Sequence, residues 1–394
     1  MDYAKEALAR HAAARGKIKI ESKLPLENQD DLAIAYTPGV AEPCREIHKD
    51  PAQVYTYTAK GNLVAVVSDG SAVLGLGNIG AEASIPVMEG KAVLFRRFAG
   101  VDAFPICLNT QDVDEIVETV ARLEPVFGGI NLEDISAPRC FLVEDRLKER
   151  LSIPVFHDDQ HGTAIIVAAG LINALKVVGK SLDQVSIVVN GIGAAGSAIC
   201  ILLEKLGAGK IIPCDINGIL NVGEEKSHFM KDALAARHNP EGRKGSLADA
   251  LRGADVFIGV SAPGIVSPEM ASAMNADAIV FAMANPTPEI MPDLAKRAGV
   301  RVMGTGRSDF PNQVNNCLAF PGLFRGALDS GAREINDAMK FAAVQALSSL
   351  VADEELGENH ILPAALDPRV APAVAKAVAQ AAVSSGAAPA RPKA

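Results

Sequence analysis

The feature that most constrains the fold is a glycine motif in the second half of the chain. An apolar run at 185–190 leads into GIGAAG, whose glycines are Gly191, Gly193 and Gly196, and a helical run follows. Asp215 ends the next apolar run, about 20 residues after the motif. Such glycines let the backbone approach a pyrophosphate at the start of a helix, and an acid at this spacing holds ribose hydroxyls. The segment therefore predicts a βαβ unit that binds a dinucleotide.

A second copy of the glycine spacing, GLGNIG at 75–80, lacks this context. It lies within SDGSAVLGLGNIG, and no comparable acid follows at the end of a later strand. We interpret it as a structural turn and place the dinucleotide at the other motif. The residues predicted to contact the dinucleotide are Thr163, Gly191, Ile192, Gly193, Ala194, Ala195, Gly196, Asp215 and Asn285.

The residues after Asp215 bear on the choice between NAD and NADP. They read INGIL, so no Arg or Lys follows the acid directly. A 2′-phosphate would be repelled by Asp215 and left unneutralised, which favours NAD. NADP stays possible because a basic side chain could arrive from elsewhere in the fold.

Strand-like and helix-like runs alternate through both halves of the chain. From residue 62 onward, apolar β-rich runs are separated by segments of helical periodicity, such as 113–123. This alternation predicts an α/β protein, with an N-terminal α/β domain on a mainly parallel sheet and a C-terminal Rossmann-type, doubly wound dinucleotide-binding domain. We set the first domain at 1–160 and the second, with the C-terminal helices, at 161–383. The small, proline-bearing tail at 384–394 is expected to be disordered.

Charge and cysteine usage narrow the class of partner. A formal net charge of −9 argues against nucleic acid or an anionic membrane surface. The six cysteines form no C-x-x-C pair, so a zinc knuckle or redox motif is not indicated. No signal peptide is evident, and no run approaches the ~20 apolar residues of a membrane span. We expect a cytoplasmic protein with reduced thiols that acts on a small molecule.

Two apolar runs of the first half end in pairs of acids. Glu133 and Asp134 follow one run, and Asp158 and Asp159 follow the next. If the helical segment 137–150 is a crossover, the two strands are parallel and their carboxyl ends share one edge of the sheet. Converging carboxylates repel one another, and a divalent cation removes that cost. Oxygen ligands alone suit Mg²⁺ or Mn²⁺.

Two histidines beside the second acid pair raise zinc as a rival metal. They are four residues apart, but His157 belongs to the strand and His161 to the start of the next helix. We therefore interpret both as packed or supporting side chains. For the acids, solvated strand ends remain the alternative interpretation.

Lys91 and Tyr36 are candidates for proton transfer. Lys91 lies between a glycine and an apolar run, where burial could lower the pKa of its amine towards that of a usable base. Tyr36 precedes a Thr-Pro-Gly turn, and an ordinary structural role is the alternative for both residues. Asn285 and Asn316 could bind a carboxylate or a nicotinamide amide, although turns are the commoner use of Asn.

Eight segments resemble, in the same order, those of malic enzymes, specifically the short bacterial type. The resemblance covers about residues 15–345. It implies oxidation of (S)-malate by NAD(P), decarboxylation to pyruvate and CO₂ with Mg²⁺ or Mn²⁺, and a homodimer. The segments are YTPGVAEPC, KGNLVAVVSDGSAVLGLGNIG, PVMEGKAVLF, NLEDISAPRCF, PVFHDDQHGTA, NGIGAAG, ANPTPE and GRSDFPNQVNN.

The resemblance also implies roles for individual residues. Lys91 would be the general base, Tyr36 the general acid, and Asp158 the residue that supports the lysine. Lys91, Asn285 and Asn316 would contact the substrate. The metal ligands would be three carboxylates, those of Glu133, Asp134 and Asp159.

The chain departs from the family at one substrate-binding position. Larger malic enzymes carry an arginine that grips the substrate carboxylate where this chain has Ala72. Malate would then be held by Lys60, by another basic group or by a neighbouring subunit. Two other functions stay open: a metal-independent NAD-dependent 2-hydroxy or amino acid dehydrogenase, and a non-catalytic NAD-sensing module.

Overall fold

The first sheet is formed by four parallel strands. The computed structural model describes residues 2–224 and 227–388. The strand order is β2-β1-β3-β4, and every neighbouring pair is parallel. The strands are β1 (Leu63–Ser68), β2 (Asp102–Cys107), β3 (Gly129–Leu132) and β4 (Val155–His157).

The second sheet has six strands in the order β10-β9-β8-β5-β6-β7. All neighbours are parallel except the two-residue β7, which pairs antiparallel with β6. This order is doubly wound about β5, as the glycine motif predicts. The strands are β5 (Ser186–Asn190), β6 (Lys210–Asp215), β7 (Gly218–Ile219), β8 (Val256–Gly259), β9 (Ile279–Ala282) and β10 (Val302–Thr305).

Helices connect the strands and cover the sheets, so the α/β fold class predicted from the sequence is confirmed. They are α1 (Tyr3–Ala14), α2 (Gln29–Ala35), α3 (Ala41–Lys49), α4 (Val54–Tyr57), α5 (Gly80–Ala99), α6 (Val113–Leu123), α7 (Arg139–Arg150), α8 (Thr163–Val178), α9 (Ala194–Lys205), α10 (Phe229–His238), α11 (Leu247–Leu251), α12 (Pro268–Ser272), α13 (Pro292–Arg297), α14 (Phe320–Ser330), α15 (Asp337–Ser348) and α16 (Val370–Ser384).

The longest apolar helical run leads from the first sheet to the second. A π-helical turn, Asp158–Gly162, continues into α8, and together they span 21 residues. By length and composition alone this run would cross a membrane, contrary to the expectation from the sequence. It packs instead against α9 and α15, and most of its residues are buried inside the protein. Its apolar character therefore reflects a helix surrounded by core.

The C-terminal helices join the two halves of the chain. α14 packs on α16, and both also contact α5 beside the first sheet. Phe95 of α5 lies edge-on to the rings of Phe320 and Phe324, with ring centroids 4.7 and 5.3 Å away. These side chains and Ile187 of β5 belong to one continuous core. The C-terminal helices predicted to belong to the second domain thus also stabilise the first.

The predicted disorder of 384–394 is wrong for its first residues. Ser384 ends α16, and Ala387 and Ala388 are buried. The Ala388 N–H donates to the Ala382 carbonyl at 3.0 Å, and the Ala387 carbonyl accepts from the Arg333 N–H at 2.9 Å. Small side chains let this end of the chain lie against the core. Residues 389–394 lie outside the described part of the chain.

Candidate functional site

Strand register brings the two acid pairs together. Leu132 of β3 pairs with His157 of β4, so the residues that follow each strand are neighbours at one edge of the sheet. The Asp134 N–H donates to Asp159 Oδ2 at 2.7 Å. Asp134 adopts a left-handed backbone, with φ of +54°, and its carbonyl accepts from the Ala72 N–H at 2.9 Å. The loop after β3 is therefore held against both β4 and the glycine-rich loop after β1.

Lys91 reaches the same point from the middle of α5. Its buried Nζ lies 2.6 Å from Asp158 Oδ2 and 2.8 Å from Glu133 Oε1, and 4.3 Å from the ring centroid of Phe320. Burial alone would lower the pKa of Lys91, but the carboxylates of Asp158 and Glu133 outweigh burial and raise it. The predicted lowering of the Lys91 pKa is therefore wrong for the protein without ligands.

Three carboxylates form the group best suited to a metal. Glu133, Asp134 and Asp159 each present one oxygen within 4.8 Å of the other two. Burial raises the pKa of Glu133 to about 7, that of Asp134 to about 9 and that of Asp159 to about 6, and repulsion between neighbouring carboxylates adds to the rise.

A divalent cation fits this group on two observations. Asp134 Oδ2 is buried and has no hydrogen-bond partner among the described residues. The single ammonium of Lys91 cannot offset the charge of Glu133, Asp158 and the two other acids together. An all-oxygen donor set of this kind suits Mg²⁺ or Mn²⁺.

Adjacent aspartates at the start of the π-helical turn, Asp158–Gly162, serve different partners. Asp158 points at Lys91, while Asp159 points at the loop that carries Asp134. Gly162 ends the turn beneath Asp158, and a Cβ there would lie 1.8 Å from Asp158 Oδ1. Asn316 is adjacent, since a Cβ added to Gly162 would lie 3.4 Å from the Cβ of Asn316. Only glycine fits under the aspartate in this turn.

The two histidines do not join the carboxylate group. His161 Nε2 lies 2.9 Å from both oxygens of Glu144, and Lys148 Nζ lies 2.7 Å from Glu144 Oε1. His157 is buried, and its Nδ1 is 3.8 Å from Asp159 Oδ2. Burial lowers the pKa of each histidine to about 4, so both are neutral at pH 7. Their place in the packing agrees with the supporting role inferred from the sequence.

Sequence reasoning missed several residues that position the site. Asn131 donates from Nδ2 to Glu133 Oε2 at 2.9 Å, and Glu144 also accepts from the His157 N–H at 3.2 Å. Glu144 lies on α7 among buried apolar positions, an unusual place for an acid and the one signal that could have identified it. Nothing in the local sequence marks Asn131 or Phe320.

Tyr36 and Lys60, two residues expected at the site, lie elsewhere. Tyr36 follows α2 and is 68% exposed, and no side-chain hydrogen bond among the described residues joins it to the acids. The segment 2–59 that carries it has no buried residue, although Lys17 and Lys23 bind Glu89, the Pro86 carbonyl and Asp102. Lys60 donates to the Glu124 carbonyl at 2.6 Å and is not available to malate in this arrangement.

The two glycine motifs behave differently. A Cβ at Gly191, whose φ is +103°, would lie 2.5 Å from the Val260 carbonyl, so this turn tolerates only glycine. GLGNIG forms a loop in which a Cβ at Gly75 would lie 2.5 Å from the Asn285 carbonyl oxygen. Asn285 itself is exposed. GLGNIG is therefore a packing contact between the two halves of the chain.

A cleft of about 600 Å³ opens beside the Gly191 turn. Neither Thr163, which begins α8, nor Asn285 lines it. Helix α9 begins at Ala194, so its first N–H groups, including those of Ala194, Ala195 and Gly196, are free of helix carbonyl partners. The residues that line the cleft are Asn190, Gly191, Ile192, Gly193, Asp215, Ile216, Asn217, Gly218, Lys231, Ser246, Leu247, Val260, Ser261, Ala262 and Ile265.

Asp215 has a basic partner in this cleft. Lys231 of α10 places Nζ 2.6 Å from Asp215 Oδ2. A basic side chain thus reaches Asp215 from elsewhere in the fold, which is the condition under which NADP stays possible. Local sequence could not show the pair, because Lys231 comes from the helix that follows β7 and not from the residues after Asp215.

Comparison with known proteins covers nearly all of the chain. Residues 15–148 match the family described as malic enzyme, N-terminal domain, and residues 160–295 and 298–383 match malic enzyme, NAD binding domain. The bifunctional malic/malolactic enzyme of Bacillus subtilis is 59% identical over 98% of this chain and 95% of its own length. The NADP-dependent malic enzyme of Escherichia coli is 51% identical, over 95% of this chain and 51% of its own length.

Solved structures give the same result. The crystal structure of malic enzyme from Pyrococcus horikoshii matches with a TM-score of 0.92 and 49% identity, over 98% of this chain and 93% of that one. The NAD-dependent malic enzyme of Thermotoga maritima matches with a TM-score of 0.90 and 47% identity, over 95% of this chain and 98% of that one. Both likenesses extend over the two sheets and the helices that connect them.

Proposed function

The chain belongs to the malic enzyme family, and we propose that it oxidises malate with NAD or NADP and decarboxylates the product to pyruvate and CO₂. The observation that carries this function is the buried Lys91 between Asp158 and Glu133, next to a carboxylate group that fits a divalent cation. A metal-independent dehydrogenase would leave that group without a use. A non-catalytic NAD-sensing module would leave both the group and Lys91 unexplained.

Glu133, Asp134 and Asp159 would hold Mg²⁺ or Mn²⁺. When bound, the cation would supply Lewis-acid stabilisation of the negative charge that develops on the substrate as CO₂ leaves. The carboxylates would give up their protons on loading, because a coordinating oxygen must be ionised.

Lys91 is placed to accept the proton of the malate hydroxyl. Its ammonium must first lose a proton, and Asp158 Oδ2, 2.6 Å away, can receive it because burial raises the Asp158 pKa to about 7. A Glu133 carboxylate that is bound to a cation would raise the pKa of Lys91 less than the free carboxylate does. The pKa of Lys91 would then be lower, and more of the lysine would be the free amine that accepts a proton.

A homodimer forms part of the proposal. Ile20, Ile34 and Tyr36 expose most of their surface on the segment 2–59, which has no buried residue. An active site that excludes water prevents side reactions of the enolate, and Tyr36 is open to solvent in the single chain. A second copy of the chain that covers this surface would bury Tyr36 and could place it at the partner's acids.

The proposed location is the cytoplasm, as expected from the sequence. All six cysteines are free in the described structure, and the buried ones have raised pKa values that keep them as unreactive thiols. Free thiols are typical of a reducing compartment.

A coupled assay tests the function. Malate is supplied with NAD or NADP, with and without Mn²⁺, and both the reduced dinucleotide and pyruvate are measured. We expect pyruvate from the wild type only with metal, and a fall of about 100- to 10,000-fold in kcat for Lys91→Ala. Lys210→Ala, at an exposed lysine on β6, is the matched control and keeps full activity. Wild-type enzyme that reduces the dinucleotide equally well without metal would refute the proposal.

A further inference from the structure

A cavity of about 110 Å³ lies beside the π-helical turn, among α7, α8, α9, α10 and α15. It is separate from the carboxylate group and from the dinucleotide cleft, because no residue of either lines it. At about 30 Å³ for each water molecule, the cavity has room for roughly three to four waters or for one small organic molecule.

Apolar side chains from three helices make up a large part of the lining. Ala198, Ile201 and Leu202 come from α9, Phe141 comes from α7 and Met230 from α10. Such a surface suits hydrocarbon and offers no hydrogen bond. An occupant that fits it needs an apolar part, which phosphate and other inorganic anions lack.

The polar part of the lining includes a buried ammonium. Lys340 of α15 is 8% exposed, and its Nζ makes no hydrogen bond with the described residues. Asp337 Oδ1 is 3.6 Å from this Nζ, and the other oxygen of Asp337 is paired with Lys205. Glu144, a second acid near Lys340, is paired with Lys148 at 2.7 Å. Both acids are thus bound to other lysines.

The environment of Lys340 favours an anion in the cavity. Burial, with repulsion from Lys148, lowers the pKa of Lys340 to about 8, so the side chain is still mostly charged at pH 7. A buried charge without a hydrogen-bonded partner costs free energy, and an anion beside Lys340 would remove that cost.

A second donor at the same cavity also lacks an acceptor. Gln160 lines the cavity and is 4% exposed, and its Nε2 is buried with no hydrogen-bond partner among the described residues. A half-turn of the side-chain amide exchanges Nε2 and Oε1, so the amide can present its donor to an acceptor in the cavity. An ammonium and an amide are therefore both available to one carboxylate.

We propose that this cavity binds a short aliphatic monocarboxylate of about two to four carbons. Its carboxylate accepts from Lys340 and Gln160, and its hydrocarbon lies against Ile201 and Leu202. Gln160 directly follows Asp159, so the ligand contacts the turn that carries two of the site's acids. The inference does not rest on the proposed function, in which no lining residue takes part.

Saturation-transfer NMR titrations of the full chain test the inference. Acetate, propionate, butyrate and butanamide are titrated separately, without malate, metal or dinucleotide. We expect affinity to rise about fourfold for each methylene from acetate to butyrate, because more hydrocarbon is buried. Butanamide has the same size but no charge and should bind at least about tenfold more weakly than butyrate.

Two variants locate the binding in this cavity. Lys340→Met should weaken butyrate binding by about 10- to 100-fold, since a charged hydrogen bond is lost. If that variant fails to fold, Ala198→Leu fills the cavity from α9 and should abolish butyrate binding while every charge is kept. Lys210→Met, at an exposed lysine on β6, is the matched control and should bind butyrate as the wild type does.

Three results would overturn the inference. They are no butyrate binding by wild type, equal affinity for butanamide and butyrate, and butyrate binding that Lys340→Met and Ala198→Leu leave unchanged. Because the titrations involve no turnover, a chain that shows the predicted pattern but forms no pyruvate would keep this inference and refute the proposed function.

Discussion

At the scale of single residues, the ammonium of Lys91 is shared by two carboxylates. Lys91 contacts Asp158 and Glu133 directly, while Asp134 and Asp159 lie beyond its reach. Burial, with repulsion from Asp159 and Glu133, raises the pKa of Asp134 most, to about 9. The metal-free protein therefore holds protons at neutral pH that free carboxylic acids would have released.

The raised pKa values of the carboxyl groups predict that a divalent metal stabilises the protein more at high pH than at low pH. The raised pKa values of Glu133, Asp134 and Asp159 mean that the folded, metal-free state binds more protons than the unfolded state between about pH 4 and 9. Their contribution to stability is complete below pH 4 and is lost as pH rises through 6 to 9. Mn²⁺ must displace these protons, so its affinity rises over the same interval.

Thermal unfolding at pH 6.0 and 8.5 with and without Mn²⁺ measures the effect. We expect about 1 mM Mn²⁺ to raise Tm by several degrees more at pH 8.5 than at pH 6.0. A stabilisation of about 1 kcal/mol corresponds to a Tm increase of about 2–4 °C. Asp159→Asn is the control and should abolish most of the increase at both pH values. An equal increase at both pH values in wild type would contradict the account.

Residue types at the ends of strands could be predicted from sequence, but their charge states could not. The sequence placed Glu133, Asp134, Asp158 and Asp159 correctly at one sheet edge, because parallel strands with a crossover helix leave no other arrangement. The pKa of Lys91 was predicted in the wrong direction. Sequence indicates burial of a lysine, whereas the pKa depends on which carboxylates the fold brings within 3 Å.

At the scale of elements, the π-helical turn is the part that sequence does not reveal. Apolar runs and helical periodicity located the strands and the long helices, because burial on both faces of a parallel sheet leaves a strong signal. A five-residue π-helical turn has no such signature. It carries Asp158 and Asp159, which bind different partners.

Replacement of Gly162 by alanine tests this turn. The added Cβ would collide with Asp158, which Lys91 holds in place, so the turn must shift. We expect a loss of about 1–3 kcal/mol in the free energy of unfolding and a fall in kcat of at least about tenfold. Gly357→Ala, where the Cβ meets nothing within 4 Å, should cost little. Urea unfolding and the malate assay provide the two readouts, and wild-type values for Gly162→Ala in both would contradict this role of the turn.

At the scale of the whole molecule, the N-terminal segment contributes no side chain to the core. Residues 2–59 include no buried side chain, although several of them are large and apolar. Sequence alone could assign Tyr36 a role through resemblance. It could not show that folding of one chain leaves Tyr36 at the surface, because that depends on what covers the segment.

If Tyr36 acts across a dimer, two inactive variants should complement one another. A Tyr36→Phe chain and a Lys91→Ala chain would share one intact and one doubly altered site in each mixed dimer. An equal mixture, dissociated and reassembled, should then recover up to about one quarter of wild-type activity. Each variant treated alone is the control. A mixture as inactive as its parents would show that Tyr36 does not act in the partner's site.

We propose that this chain oxidises and decarboxylates malate at a metal-dependent site built from Lys91 and the carboxylate group. Carbon-13 NMR of labelled malate during turnover tests it most directly, since each product is observed at its own resonance. With Mn²⁺ and a dinucleotide, we expect pyruvate and CO₂ in equal amounts, each matching the amount of reduced dinucleotide. After chelation of the metal with EDTA, we expect no turnover. Accumulation of oxaloacetate without CO₂, unaffected by EDTA, would contradict it.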